Sequence, residues 1–306
     1  MELTVLNKTP VAADTVRITL ATPDGKALPA FKPGAHIEVS FAGFSRRYSL
    51  TSSPYDLSHY EICVLRTNPS RGGSVYLHER VQIGDILQVA GPFNAFPLNL
   101  DTRHTVFIAG GIGITPFFSM MEAFERSAQP FDLHYAVRDP HRFLPVPEYS
   151  SGRTWRYADA EGKRTMDIDA ILDLLPADVD LYVCGPRRLI EAVRAKAMAR
   201  GWPDKRVHFE SFGASLDPTD APVTVHLALS GLSVEVLPGT TILEALLTND
   251  IWAPYECLRG ECASCMTEVL SGEPDHRDLC LTEEQRRHNM CTCISWARSS
   301  DIVLNL

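Results

Sequence analysis

The chain has 306 residues, 45% of them hydrophobic, and a formal net charge of −9. That length accommodates two or three domains with ordinary cores, and the acidic balance argues against a nucleic-acid partner. No apolar run approaches a membrane span. The opening Met1-Glu-Leu-Thr-Val reads as a first strand rather than a secretory signal, and eight cysteines without such a signal suit a reducing cytoplasm.

Residues 1–100 carry short alternating strands over 15–20, 35–40, 60–65 and 86–90, separated by turn residues. This is the pattern of a small antiparallel β-barrel. Within it, Arg46-Arg47-Tyr48-Ser49-Leu50 places Arg47 and Ser49 on one strand face and Tyr48 on the other. An arginine fork suits a phosphate, and a tyrosine ring can cover a flat heterocycle. The later Arg71-Gly72-Gly73-Ser74 offers backbone amides to the same phosphate. A surface arginine beside a core tyrosine explains the first motif equally well.

Residues 101–213 alternate apolar strands with helices, as in a parallel α/β sheet. Strand 105–109 runs into Gly110-Gly-Ile-Gly-Ile-Thr-Pro116 and an apolar helix over 117–124. Thr115 suits the helix N-cap and Pro116 its first position. Glycines at such a turn admit a phosphate to the helix N-terminus, although tight packing alone also demands them. Pro116 stands where the last glycine of G-x-G-x-x-G would be. A second strand, 180–184, ends in Cys184-Gly185-Pro186 before a helix over 188–200. Ligands of open α/β sheets bind at such strand ends, so Cys184 is either a small buried residue or lies against a nicotinamide ring.

Residues 214–222 are polar, with two prolines, and read as a linker. Residues 223–306 follow as a mixed α+β segment, with strands at 223–229, 233–236 and 302–306 and a helix near 242–249. This segment holds twelve acidic against five basic residues. Such a face is either merely solubilising or docks a basic protein partner by long-range attraction. Its centre is Cys257-Leu-Arg-Gly-Glu-Cys262-Ala-Ser-Cys265, the C-x4-C-x2-C spacing of a plant-type [2Fe–2S] cluster. Gly260 suits a loop wrapped closely round a cluster. Zinc also takes four thiolates but favours C-x2-C pairs. Cys291 and Cys293 are two apart, so strand periodicity lets both face the loop. Cys293 is taken as the fourth ligand because it opens the hydrophobic segment leading to the last strand. Cys280 reads as a packing residue.

These motifs, with Glu210-Ser-Phe212-Gly213, occur in the order seen in the phthalate dioxygenase reductase and vanillate demethylase reductase family, which the chain resembles over nearly its whole length. The resemblance implies a multidomain chain: an antiparallel β-barrel flavin domain, an α/β nucleotide domain and an α+β β-grasp ferredoxin domain. It implies FMN held by Arg47, Tyr48, Ser49 and Leu50, with Gly72, Gly73 and Ser74 near its phosphate and Val64 and Arg66 alongside. It implies NADH in a cleft lined by Gly110, Gly111, Gly113, Thr115 and Pro116, with Cys184, Gly185 and Pro186 facing the nicotinamide and Arg138 and Asp139 near the adenosine ribose. Arg142 departs from this expectation and would favour a 2′-phosphate. Phe212 would approach the flavin, and Cys257, Cys262, Cys265 and Cys293 would ligate one [2Fe–2S] cluster. Electrons would pass from NADH through FMN and the cluster to a Rieske-type non-haem iron oxygenase, an aromatic-ring dioxygenase or O-demethylase; a cytochrome P450 is the alternative acceptor. A flavin converts hydride to single electrons, so no protein acid, base or nucleophile is required, and His36, His78 and His104 are read as structural.

Overall fold

The structure is a computed structural model that describes every residue except 69, 71, 159–164, 177 and 213–218. Arg71, Gly213 and most of the expected linker therefore lie outside the described residues. The chain divides into two compact units, Met1–Glu210 and Ser211–Leu306.

The first unit begins with β1 (Glu2–Ala12), β2 (Thr15–Ala21), β3 (His36–Phe41), β4 (Phe44–Ser49), β5 (Tyr60–Leu65), α1 (Gly73–Glu79) and β6 (Ile86–Phe93). The strands pair antiparallel in the order β4-β3-β6-β1-β2-β5. A bridge between Leu50, just past β4, and Ile62 on β5 joins the two edges and makes the sheet a barrel. Alternation explains the strands: Leu3 and Val5, Ile18 and Leu20, Ile37 and Val39, and Ile62 and Val64 all point into one core.

The parallel sheet follows: β7 (Thr105–Gly110), α2 (Thr115–Ser127), β8 (Phe131–Val137), β9 (Gly152–Ala158), α3 (Ile168–Asp173), β10 (Asp180–Cys184), α4 (Arg187–Ala199) and β11 (Val207–Glu210). Its order is β11-β10-β7-β8-β9. The chain builds outward from β7, then returns to the other side of β7. The carboxyl ends of β7 and β10 thus flank the topological switch point, where such sheets bind ligands. Every residue of β7 and β10 is buried, as expected of strands covered on both faces.

The barrel and the parallel sheet share one unit because buried polar contacts join them. The Gly34 amide donates to Ser119 Oγ on α2 at 3.0 Å, and the Tyr182 hydroxyl of β10 donates to Pro97 O at 3.1 Å. A Cβ on Gly34 would lie 2.1 Å from Phe96 O, so only glycine permits this approach.

The second unit contains β12 (Val223–Leu227), β13 (Ser233–Val236), α5 (Ile242–Thr248), β14 (Met266–Ser271), β15 (Pro274–Asp275), α6 (Glu283–Arg286), β16 (Asn289–Cys291), β17 (Trp296–Ala297) and β18 (Asp301–Leu304). Its main sheet runs β13-β12-β18-β14-β16, with β12 and β18 parallel and the other pairs antiparallel. A Thr241–Glu244 capping box starts α5, whose Ile242, Leu243 and Leu246 are buried in the core with Val225, Val236 and Ile302. This is the expected β-grasp. Among the described residues, no helix is long and apolar enough to cross a membrane.

Candidate functional site

The glycine turn before α1 faces β4. Gly72 has φ +91°, and a Cβ there would lie 2.9 Å from the Phe44 ring. A Cβ on Gly73 would lie 3.3 Å from Arg46 Nε. Ser74 Oγ accepts from the Thr67 amide at 3.2 Å and sits 3.0 Å from Thr67 Oγ1. Phe44 and Arg46 therefore share the face of β4 that meets the two glycines, and by strand alternation Tyr48 shares that face. Arg47 is across the register from Glu38 and donates to its carboxylate at 3.3 Å. The sequence reading singled out Arg47 and passed over Arg46; applying the i, i+2 rule from Tyr48 would have found it. Tyr48 packs against the barrel core, and burial pushes its phenol pKa up. Ser49, Leu50 and Val64 are buried. Arg66 pairs with Glu79 at 2.5 Å. His78 bonds Val64 O at 2.8 Å through Nε2, and His104 bonds Asp132 at 3.1 Å, so both have structural roles.

At the switch point the two glycine turns interlock. A Cβ on Gly113 would stand 2.3 Å from Cys184 O, and one on Gly110 would stand 2.7 Å from the Pro186 ring and 2.8 Å from Leu189. A Cβ on Gly185 would meet the Gly110 backbone at 2.9 Å. These three glycines are present for close packing. Gly111 differs: its φ is +56° and nothing lies within 4 Å of a Cβ there, so it alone leaves open space. Thr115 is not the N-cap. A 3-10 turn, Gly111–Ile114, runs directly into α2, the N-cap is Ile114, and the helical Thr115 donates through Oγ1 to Ile112 O at 3.0 Å. Pro116 keeps its place in the first turn. Cys184 is fully buried in the core of the parallel sheet, whereas Gly185 is half-buried and Pro186 exposed.

Beyond β8, Arg138 and Asp139 are exposed. Asp139 caps a short 3-10 turn, accepting from the His141 amide at 2.9 Å. Arg142 Nη2 is bound to Asp14 Oδ2 at 2.7 Å. Phe212 is 46% exposed near the start of the second unit.

In the second unit the nine-residue cysteine loop carries three left-handed residues: Leu258 at φ +57°, Gly260 at +67° and Ala263 at +59°. A Cβ on Gly260 would lie 2.7 Å from Ile294 and 3.0 Å from Asp278 Cα, so the glycine is required, as its position suggested. The winding brings the amides of Arg259 and Glu261 to 3.4 and 3.5 Å from Cys257 Sγ. Cys262 lies within hydrogen-bonding reach of Cys257. Cys265 and Cys293 have their Sγ atoms 3.1 Å apart. Neighbouring Cys291 and Cys293 hold the Cys265 thiol down to about 3. Two thiol pairs with amides aimed at sulfur fit a diferric cluster, which takes two thiolates per iron. Cys291 meets Cys265 as well as Cys280, its Sγ 3.6 Å from that of Cys280.

Comparison with known proteins agrees with this geometry. Residues 2–97 match the oxidoreductase FAD-binding domain, 107–195 the oxidoreductase NAD-binding domain and 225–298 the 2Fe-2S iron-sulfur cluster binding domain. The chain is 37% identical to the phthalate 4,5-dioxygenase oxygenase reductase subunit of Pseudomonas putida, covering 99% of this chain and 96% of that one. It is 38% identical to the carnitine monooxygenase reductase subunit of Escherichia coli K12, covering 100% and 98%. The solved structure of phthalate dioxygenase reductase, described as modular for electron transfer from pyridine nucleotides to [2Fe–2S], superposes with a TM-score of 0.81 at 33% identity, covering 100% and 98%. With a flavin barrel, a nucleotide sheet and a cluster domain in one chain, this protein belongs to the phthalate dioxygenase reductase family of oxidoreductases.

Proposed function

We propose that this chain is the NADH-dependent reductase of a two-component oxygenase, using FMN and one [2Fe–2S] cluster to supply a separate Rieske-type terminal oxygenase, an aromatic-ring dioxygenase or O-demethylase. The observation that carries the reading is the combination, in one chain, of interlocked glycine turns at a switch point with two convergent thiol pairs. A bound flavin supplies the conversion of one hydride into two single electrons.

The protein residues supply placement. Arg46 and Arg47, with the amides of Gly72 and Gly73 and the Ser74 hydroxyl, hold the flavin phosphate. Tyr48, Ser49 and Leu50 line the ring, with Val64 and Arg66 alongside. Gly110, Gly111, Gly113, Thr115 and Pro116 shape the nucleotide cleft. Gly185 and Pro186 meet the nicotinamide, with Cys184 behind them. Arg138 and Asp139 orient the adenosine ribose. The preference for NADH rests on Asp139, which repels a 2′-phosphate, and on Asp14, which already holds Arg142. Cys257 with Cys262, and Cys265 with Cys293, hold the cluster. Trp252 and Tyr255, 76% and 45% exposed just before the loop, together with exposed Asp250 and Glu256, form the acceptor's docking face. The domain limits are 1–100, 101–213 and 223–306 with a linker at 214–222, and the location is the cytoplasm, which keeps the eight thiols reduced.

The test is an anaerobic NADH titration of purified protein followed by chromatography of the released flavin. FMN should be released, and full reduction should consume about 1.5 NADH per chain, two electrons for the flavin and one for the cluster. A colourless protein carrying zinc would overturn the proposal.

A further inference from the structure

Four of the eight cysteines belong to the cluster loop and Cys293, and Cys63 and Cys184 are buried in the first unit. The other two, Cys280 and Cys291, face each other. Their Sγ atoms are 3.6 Å apart. A disulfide needs about 2.05 Å, so the two sulfurs have about 1.5 Å to close, a movement of the size that side-chain rotation makes.

Both segments are held in place. The loop bearing Cys280 is pinned by Asp278, which is fully buried. Its carboxylate accepts from the Leu281 amide at 3.0 Å and from Arg286 at 3.3 Å, and Arg286 also donates to Asp278 O at 2.9 Å. The Thr282–Gln285 capping box fixes α6 between the two cysteines. Cys291 ends β16, paired with Met266 on β14. The Asp278 carboxylate and the Cys280 and Cys291 sulfurs lie within 4.8 Å of one another, and the carboxylate is already engaged by Leu281 and Arg286. Access is one-sided: Cys291 is fully buried and Cys280 only partly so. Cys291 is also within reach of Cys265, so as a free thiol it is a rival to Cys293 for the cluster.

We propose that Cys280 and Cys291 form a disulfide driven by hydrogen peroxide, which withdraws Cys291 from competition for the iron. The Cys280 sulfur attacks one peroxide oxygen, the O–O bond breaks, and water leaves with the thiol proton, giving a sulfenic acid. The Cys291 sulfur then displaces the hydroxyl, which departs as a second water with the Cys291 proton. Two thiols lose two electrons in total and one peroxide is reduced to two waters.

This inference rests on Cys293 being the fourth ligand, and the experiment separates the two. Full-length holoprotein is treated with hydrogen peroxide, denatured in acid, alkylated without reduction and digested with trypsin. Cleavage after Arg277, Arg286, Arg287 and Arg298 puts Cys280 in peptide 278–286 and Cys291 with Cys293 in peptide 288–298. The expected result is a cross-linked pair of these peptides with Cys293 alkylated, formed while the visible absorbance of the cluster persists. Cys280→Ser should abolish the pair and make peroxide bleach the cluster several-fold faster. The proposal is overturned if no cross-link forms at peroxide doses that already bleach the cluster, if the bond maps to Cys293 or Cys265, or if Cys280→Ser bleaches no faster than wild type. Alkylation of Cys293 in native, untreated holoprotein would instead refute the ligand assignment.

Discussion

Replacing Gly113 by alanine tests the interlocked turns directly. The added Cβ would stand 2.3 Å from Cys184 O, 2.5 Å from Cys184 C and 2.6 Å from Gly185 N. All three are main-chain atoms. Ordinary contact begins near 3.4 Å, so the carboxyl end of β10 must retreat by about 1 Å. It has little room, because β10 is buried throughout between β7 and β11. Overpacking of this kind costs about 1–3 kcal/mol, and a clash against backbone belongs at the upper end. In a unit of this size that lowers the unfolding temperature by roughly 5–10 °C. The same displacement moves the proposed nicotinamide platform, and a 1 Å error at a reacting centre costs on the order of 100-fold in rate. The assay pairs thermal unfolding with stopped-flow bleaching of the flavin by NADH. Gly111→Ala is the control: it meets only the left-handed backbone cost of about 1 kcal/mol, in open space. A Gly113→Ala protein that melts within about 1 °C of wild type and keeps its flavin reduction rate would refute the reasoning.

Arg46→Ala should weaken flavin retention by roughly 10- to 150-fold, the equivalent of one charge-assisted hydrogen bond of about 1.5–3 kcal/mol; Arg47→Ala, which loses a guanidinium already serving Glu38, should cost less. Equilibrium dialysis of flavin decides, and equal retention in wild type and Arg46→Ala would be contrary evidence. Asp14→Asn should release Arg142 and raise the specificity constant for NADPH by up to about five-fold, the worth of one exposed ion pair, measured by reduction of ferricyanide. Cys293→Ser should lose the cluster spectrum and cytochrome c reduction while NADH still bleaches the flavin, and Cys291→Ser should keep all three; the reverse pattern would exchange the ligands. Burial holds His134 down to about 4 against the opposing pull of Asp132, with Arg153 adding to the depression and Tyr157 hydrogen-bonded to Nδ1. Its contribution is therefore complete above the unfolded value near 6.5 and is lost as pH falls toward 4, so His134→Gln should flatten the fall in unfolding temperature across that window.

The three-part architecture was legible because each part has a distinct hydrophobic period. Strand β3 alternates from Ile37 to Phe41, β7 is buried throughout, and the cysteine loop announces itself by spacing. Spacing also raised the Cys291 question, which periodicity left open because the two cysteines share a face. Both adjoin Cys265, Cys293 at 3.1 Å, and what distinguishes Cys291 is a second neighbour, Cys280, at 3.6 Å. Other features escaped the sequence because they depend on pairing partners distant in the chain. Glu38 engages Arg47 across a strand register, and Asp14 engages Arg142 over 128 residues. The Thr115 expectation failed for a local reason: Thr is a good cap in isolation, but a 3-10 turn had already begun the helix.

The interlock of Gly110, Gly113 and Gly185 has a consequence for redesign. Around Gly113 and Gly185 the neighbours are main-chain atoms, so no side chain is available to exchange there, whereas a methyl on Gly110 would also meet the Pro186 ring and Leu189. This interlock, the proposed floor beneath the coenzyme, is thus nearly closed to gradual variation. On the proposed assignment, drift in coenzyme choice enters from the rim, through exposed Arg138 and Asp139 and half-buried Arg142. An engineer seeking a different coenzyme can therefore rebuild that rim freely while the landing point of the hydride stays where the backbone put it.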